Sequence, residues 1–279
     1  MDFGQTVPAS KPEKADEGGQ GLRVAVAAMI SPKETEIYYR QLLDYAGLRL
    51  GREIHLVQRR TYGEISTLLS QGRIDAAFVC SGPYAVSRDQ LEIALLAVPV
   101  VRGSQMYHSY LIVGRDSPYQ SLNDLRDKTF AFTDPDSNTG RLVPLAWLKE
   151  IGERPETFFQ QTIFTYSHDN SILAVARGLV DGAAVDSLIW EFLHHRNPEL
   201  TRRTRVIKRS EPFGMPPVVA SNRLAPEWRD KFQETLLTMH ESLAGRKVLN
   251  GLLVDRFIQG SDTLYDSIRR LKERLNGGF

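Results

Sequence analysis

From residue 22 onward the apolar positions fall into short runs whose period switches repeatedly between strand and helix spacing. Residues 22–28, LRVAVAA, form a continuous β-prone run, and between 34 and 47 Ile37, Tyr38, Leu42, Leu43 and Tyr45 recur at helical spacing. Residues 54–58 predict a second strand, 62–71 a second helix, and 74–79 a third strand ending at Cys80-Ser81-Gly82-Pro83. This βαβαβ order predicts a mostly parallel sheet with helices on both faces. It places ligand sites at the carboxyl ends of the strands.

The unit returns later in the chain. Gly72-Arg73-Ile74-Asp75-Ala76-Ala77-Phe78-Val79 is echoed by Gly178-Leu179-Val180-Asp181-Gly182-Ala183-Ala184-Val185. In each, a helix ends at Gly, Asp opens a short strand, and small residues keep the backbone close-packed. Two like units far apart in the chain predict two lobes of similar build rather than a short-period solenoid. Between them, 91–101 and 106–115 are β-prone runs long enough to cross between lobes, with 206–208 and 217–220 as return strands and helices over 226–242, 247–257 and 262–275 closing the chain. The expected fold is α/β, with residues 21–112 plus 220–279 as lobe one and 113–219 as lobe two. Two connecting strands would let the lobes hinge. Residues 1–20 carry Gly, Pro, Lys and Glu without an apolar run, and predict a flexible tail that is neither strand nor signal peptide.

Charge and composition narrow the function. Lys+Arg at 35 against Asp+Glu at 34 leaves no field to hold a polyanion, so nucleic acid is not an expected partner. The basic stretch Arg202-Arg203-Thr204-Arg205-Val206-Ile207-Lys208-Arg209 reads as a solvated strand edge. Cys80 is the single cysteine, which excludes an internal disulfide and a multi-thiolate zinc site. No apolar run reaches the roughly 20 residues a membrane helix needs.

The stretch Asp134-Pro135-Asp136-Ser137-Asn138-Thr139-Gly140 joins the β-prone run 128–132 to the apolar helix pattern that follows. Unpaired N–H groups, hydroxyls at Ser137 and Thr139 and the positive helix end suit a small oxyanion. The same residues suit an ordinary helix cap, and the residues alone leave both readings open. Other polar residues at strand-to-helix junctions are Tyr62, Cys80, Ser81, Tyr107, His108, His168 and Asp186, with Asp186 equally a cap for the next helix. Cys80 is either a small buried hydrophobe or a soft thiol ligand, and a Cys80–His168 nucleophilic pair defines the competing class, a thiol enzyme. No metal-ligand, phosphate-loop or paired-carboxylate motif appears, and no cofactor is expected.

In this order the motifs resemble the phosphate/phosphite/phosphonate-binding branch of the type II periplasmic solute-binding proteins. The carriers are Tyr62-Gly63-Glu64; Ile74-Asp75-Ala76-Ala77-Phe78 with Ser81-Gly82-Pro83-Tyr84; Tyr107-His108-Ser109-Tyr110; Ser117-Pro118; the Asp134–Gly140 stretch; and Ser167-His168. The resemblance implies a periplasmic protein that is not an enzyme. It would close as a monomer on a small oxyanion or oxyacid and present the closed form to an ABC permease or a sensor kinase. It implies ligand contacts from Tyr62, Tyr107, Ser137, Asn138, Thr139 and His168, to which the position of Cys80 and Ser81 at a strand-to-helix junction adds those two as expected ligand contacts. Members that bind aminoalkyl phosphonates carry an acid where this chain has Gly214-Met215-Pro216, which disfavours an amine-bearing ligand. Cys80 departs from the transport members and resembles a sub-branch that binds arsenite, with Cys80 as its metalloid ligand.

Overall fold

The computed structural model describes residues 21–277, and the tail expected over 1–20 lies outside the described residues. Thirteen strands run through them: β1 Leu22–Val26, β2 Ile54–Gln58, β3 Ala76–Phe78, β4 Ile93–Val100, β5 Met106–Tyr107, β6 Ser109–Gly114 and β7 Thr129–Phe132. Next come β8 Gln161–Phe164, β9 Gly182–Asp186, β10 Thr204–Arg209, β11 Phe213–Gly214, β12 Val218–Ser221 and β13 Arg256–Ile258.

They form a six-stranded sheet in the order β13-β4-β12-β3-β1-β2 and a five-stranded sheet in the order β10-β6-β9-β7-β8. The expected parallel order holds for β2-β1-β3 and for β9-β7-β8. The remaining pairs are antiparallel, so each sheet is mixed rather than mostly parallel. For every pair but β13-β4 the reason is connectivity: β12 and β6 enter from the opposite lobe, and a strand arriving that way runs against its neighbours.

The internal echo has a structural counterpart. Gly72 and Gly178 both end a helix at positive φ, +66° and +67°. Asp75 Oδ2 accepts the N–H of Arg23 in β1 at 2.7 Å, and Asp181 Oδ2 accepts the N–H of Thr129 in β7 at 2.8 Å. Each aspartate thus ties the start of its lobe's central parallel strand to the strand beside it.

Two strands cross between the sheets, and they are shorter than expected. Residues 91–101 do not cross, because β4 stays within the six-stranded sheet; the crossing is β5, paired antiparallel with the returning β11 through Tyr107 with Phe213 and Met106 with Gly214. The boundaries expected at 112/113 and 219/220 fall inside β6 and β12, each of which lies wholly in one sheet. The basic stretch forms β10, an edge strand with a bulge between Val206 and Lys208. Its Arg205 guanidinium spans the carbonyls of Ser117 and Tyr119 at 2.9 and 2.5 Å.

Contacts between the lobes ring the crossing. Arg102 pairs with Glu191 at 2.6 Å, and the Arg196 guanidinium donates to the Gly251 carbonyl at 2.7 Å. Tyr38 meets Phe192 edge-on at 4.9 Å, and the Arg60 guanidinium lies 4.4 Å over the Tyr166 ring. The lobes are closed on each other.

Candidate functional site

The loop after β7 is shaped by three local rules. Asp134 is buried and folds the turn by accepting the Asp136 N–H at Oδ1, 2.8 Å away. Ser137 Oγ accepts the Gly140 N–H at 3.0 Å, so the expected cap is present. Pro144 brings no N–H to the helix, and the Gly140 carbonyl instead receives the N–H of Thr133 at 3.2 Å. The first turn, Asn138–Leu142, is accordingly wide, with Leu142 N–H on the Ser137 carbonyl, before Val143–Glu150 continues as an α-helix. A Cβ at Gly140 would lie 2.5 Å from Thr133 Oγ1, so only glycine fits.

Lobe one approaches this loop with backbone as well as side chains. The N–H of Tyr62, first residue of the helix Tyr62–Ser70, donates to Asp134 Oδ2 at 3.2 Å. Gly82, in the helix Ser81–Leu91, sits where a Cβ would be 2.5 Å from the Asp136 carbonyl oxygen and 2.9 Å from the Asn138 nitrogen. Tyr107, on the crossing strand β5, holds both sides: its Oη is 2.5 Å from Ser81 Oγ and receives the Asn138 amide Nδ2 at 3.3 Å.

His168 opens the helix His168–Ala176 and sends its own N–H to the Met29 carbonyl of lobe one at 3.0 Å. Its Nδ1 accepts the Asp186 N–H at 3.1 Å and lies 3.0 Å from Thr133 Oγ1. A backbone N–H only donates, so Nδ1 is the acceptor and the ring proton sits on Nε2. Burial holds the imidazole neutral, its pKa lowered to about 3.

These residues share one property. Tyr62, Cys80, Ser81, Tyr107, Ser137, Asn138, Thr139 and His168 are all essentially without solvent exposure. Yet Tyr62 Oη, Asn138 Oδ1, Thr139 Oγ1, Ser167 Oγ and His168 Nε2 bond to no group among the described residues. A buried polar atom without a partner costs about 1–3 kcal/mol, so several at one junction are groups that a small polar ligand would satisfy. Three hydroxyls and one imidazole N–H from this set, with the turn at a helix N-terminus, suit the oxygens of a small oxyacid.

Cys80 is in the wall of the same place, packed with Ala27, Met29 and Tyr62. Burial pushes its thiol up to about 12, although the backbone N–H groups of Asn138 and Gly82 aim at the sulfur. Burial likewise drives the Tyr62 and Tyr107 hydroxyls well above their usual range. With Nε2 of His168 unbonded and Nδ1 taken by Asp186, His168 does not activate the thiol. The geometry therefore lacks the nucleophile–base contact of a thiol enzyme.

Asp186 caps the helix Ser187–Arg196 by accepting the Leu188 N–H at 2.7 Å, as its sequence position suggests. Burial raises its carboxyl to about 7. His108 lies apart, its Nδ1 on the Ser210 carbonyl at 2.8 Å. Sequence reasoning missed the cross-lobe role of Asp134, whose carboxylate reads as an ordinary turn residue. It also missed a cavity of about 100 Å³ between the lobes, walled by Met29, Tyr39, Phe78, Pro217, Ile189 and Phe192 and touched by Asp186.

Comparison with known proteins sets this geometry in context. Residues 24–265 match the family described as ABC transporter, phosphonate, periplasmic substrate-binding protein. The phosphonates-binding periplasmic protein of Escherichia coli is 27% identical over 266 residues, covering 93% of this chain and 78% of that one. A solved binding-protein component of a phosphonate ABC transporter from Pseudomonas aeruginosa superposes with a TM-score of 0.87 at 24% identity, covering 92% of this chain and 87% of that one. The Prochlorococcus marinus PhnD1 in complex with methylphosphonate superposes with a TM-score of 0.83 at 19% identity, covering 92% and 98%. Among the described residues no helix is long and apolar enough to cross a membrane.

Proposed function

Because the chain belongs to the family of periplasmic substrate-binding proteins of phosphonate ABC transporters, we propose that it captures a phosphonate-like oxyacid between its lobes and delivers it to a permease. The observation that carries this reading is the set of buried, unbonded polar atoms at Tyr62, Asn138, Thr139 and His168. They come from both lobes, so a ligand that satisfies them binds the closed form better than the open one. Closure is then a population shift driven by that difference in affinity.

Each residue has a place in the mechanism. Ser137 shapes the loop through its cap, while Asn138 and Thr139 offer the ligand side-chain and helix-end polar groups. His168 offers Nε2–H, and Tyr62 offers its hydroxyl from lobe one. Tyr107 and Ser81 act as a latch, since the Tyr107 hydroxyl contacts Asn138 across the hinge. We read Cys80 as a wall residue, because a thiol kept protonated is a poor soft ligand. We place the protein in the periplasm and read the permease, not a sensor kinase, as its membrane partner, since the family is one of transporter components.

The test is a calorimetric titration with methylphosphonate, phosphite, phosphate and arsenite, with small-angle scattering to follow closure. A phosphorus oxyacid that binds and shrinks the radius of gyration supports the reading. Binding of arsenite alone, lost in Cys80→Ala, would replace it with the metalloid reading.

A further inference from the structure

The cavity between the lobes is built for carbon rather than charge. Its walls come from the six-stranded lobe through Met29, Phe78 and Pro217 and from the helix Ser187–Arg196 through Ile189 and Phe192. Among the described residues Asp186 is its one carboxylate, and that group is already directed at the Leu188 N–H. No Lys or Arg among the described residues lines it. Met29 and Ile189 also pack against Tyr62 and Cys80, so the cavity and the polar junction share a wall. Met215, in the turn beside Pro216, is buried and offers no charge.

Resting on the phosphonate reading above, we propose that this cavity receives the carbon substituent of the ligand. The preferred substrates are then organophosphonates with a compact apolar alkyl group, ahead of inorganic phosphate, phosphite and aminoalkyl phosphonates. A cavity of about 100 Å³ takes about three groups of the size of a water molecule, roughly 30 Å³ each. Each methylene it takes from water gains about fourfold in affinity. An ammonium at the same place gains no free carboxylate and loses its hydration.

Titration of the full chain with phosphate and with methyl-, propyl- and 2-aminoethylphosphonate tests this. Propylphosphonate should bind roughly tenfold or more tighter than methylphosphonate. Val101→Phe and, separately, Leu252→Phe, which fill the cavity from walls away from the polar junction, should erase that gain and leave methylphosphonate binding in place. Thermal unfolding of the unliganded variants confirms that they fold. Equal affinity for methyl- and propylphosphonate overturns the inference while leaving phosphonate capture intact. Tighter binding of 2-aminoethylphosphonate than of its isostere propylphosphonate overturns it as well. Failure of every phosphorus compound to bind removes the phosphonate reading itself.

Discussion

His168 receives the backbone N–H of Asp186 on Nδ1, 3.1 Å away, which fixes the tautomer that carries its proton on the buried Nε2. One hydrogen bond from the backbone thus converts a buried histidine into a committed donor. His168→Ala should weaken binding of methylphosphonate about 10- to 100-fold, the loss of one hydrogen bond to a charged group. His168→Gln, which restores an N–H donor, should recover part of it. Isothermal titration checks both, and an unchanged affinity in His168→Ala would remove the residue from the site.

The same histidine sets an acid limit on stability. Its pKa falls from 6.5 to about 3 on folding, so the unfolded chain takes up a proton first. Stability from this group is complete above about 6.5 and is lost as pH falls toward 3, by up to about 1.4 kcal/mol per pH unit. Chemical denaturation between pH 7 and 4 should show a shallower acid loss in His168→Gln than in the wild type.

Asp186 acts in the opposite sense. Its carboxyl rises from 3.8 to about 7 on folding, so the folded chain holds the extra proton between those values. This group therefore favours the folded state at low pH, and its contribution is lost as pH rises through about 7. Ionised, it also repels an anion in the neighbouring cleft, at a cost on the order of 1.4 kcal/mol or tenfold in affinity. Asp186→Asn keeps the cap and should flatten the pH profile of ligand affinity between 6 and 8. Profiles that superpose would show that the charge is not felt by the ligand.

Gly82→Ala tests closure without touching a polar ligand contact. The added methyl would lie 2.5 Å from the Asp136 carbonyl oxygen, which is backbone and cannot swing away. The variant should fold normally, since the clash is between lobes. It should bind ligand at least tenfold more weakly and keep a larger radius of gyration at saturation. Scattering with and without methylphosphonate reads this directly.

Cys80→Ala separates a wall thiol from a working one. Removing one buried sulfur should cost about 1 kcal/mol of stability and shift phosphonate affinity by less than about threefold. Calorimetry and thermal unfolding give the two numbers. A loss of binding beyond tenfold would return Cys80 to the set of ligand contacts.

Much of the architecture was legible because it is written in local patterns. The echo around Asp75 and Asp181 announced two like lobes, and each aspartate makes the same bond to a central strand. Ser137, Asn138, Thr139 and His168 stood at strand-to-helix junctions, where turn chemistry is readable residue by residue. The crossing strands were not legible. A β-prone run such as 93–100 has the same pattern whether it stays in one sheet or spans two, and what decides is pairing with β12, far away in sequence. The apolar cavity was hidden for the same reason. Met29, Ile189 and Pro217 are ordinary core residues until the two lobes meet.

The sheet order also dictates when each part of the molecule can be finished during synthesis. The five-stranded sheet is drawn wholly from β6 to β10, so it can assemble as soon as Arg209 has emerged. The six-stranded sheet cannot, because β12 lies between β3 and β4 and is made only after the other sheet is complete. Until Ser221 appears, β3 and β4 each present an unpaired edge, the kind that recruits strands from other chains. The first-made lobe is therefore the last to close. Its early strands, rich in buried Val, Ala and Leu, are where a growing chain is most in need of protection.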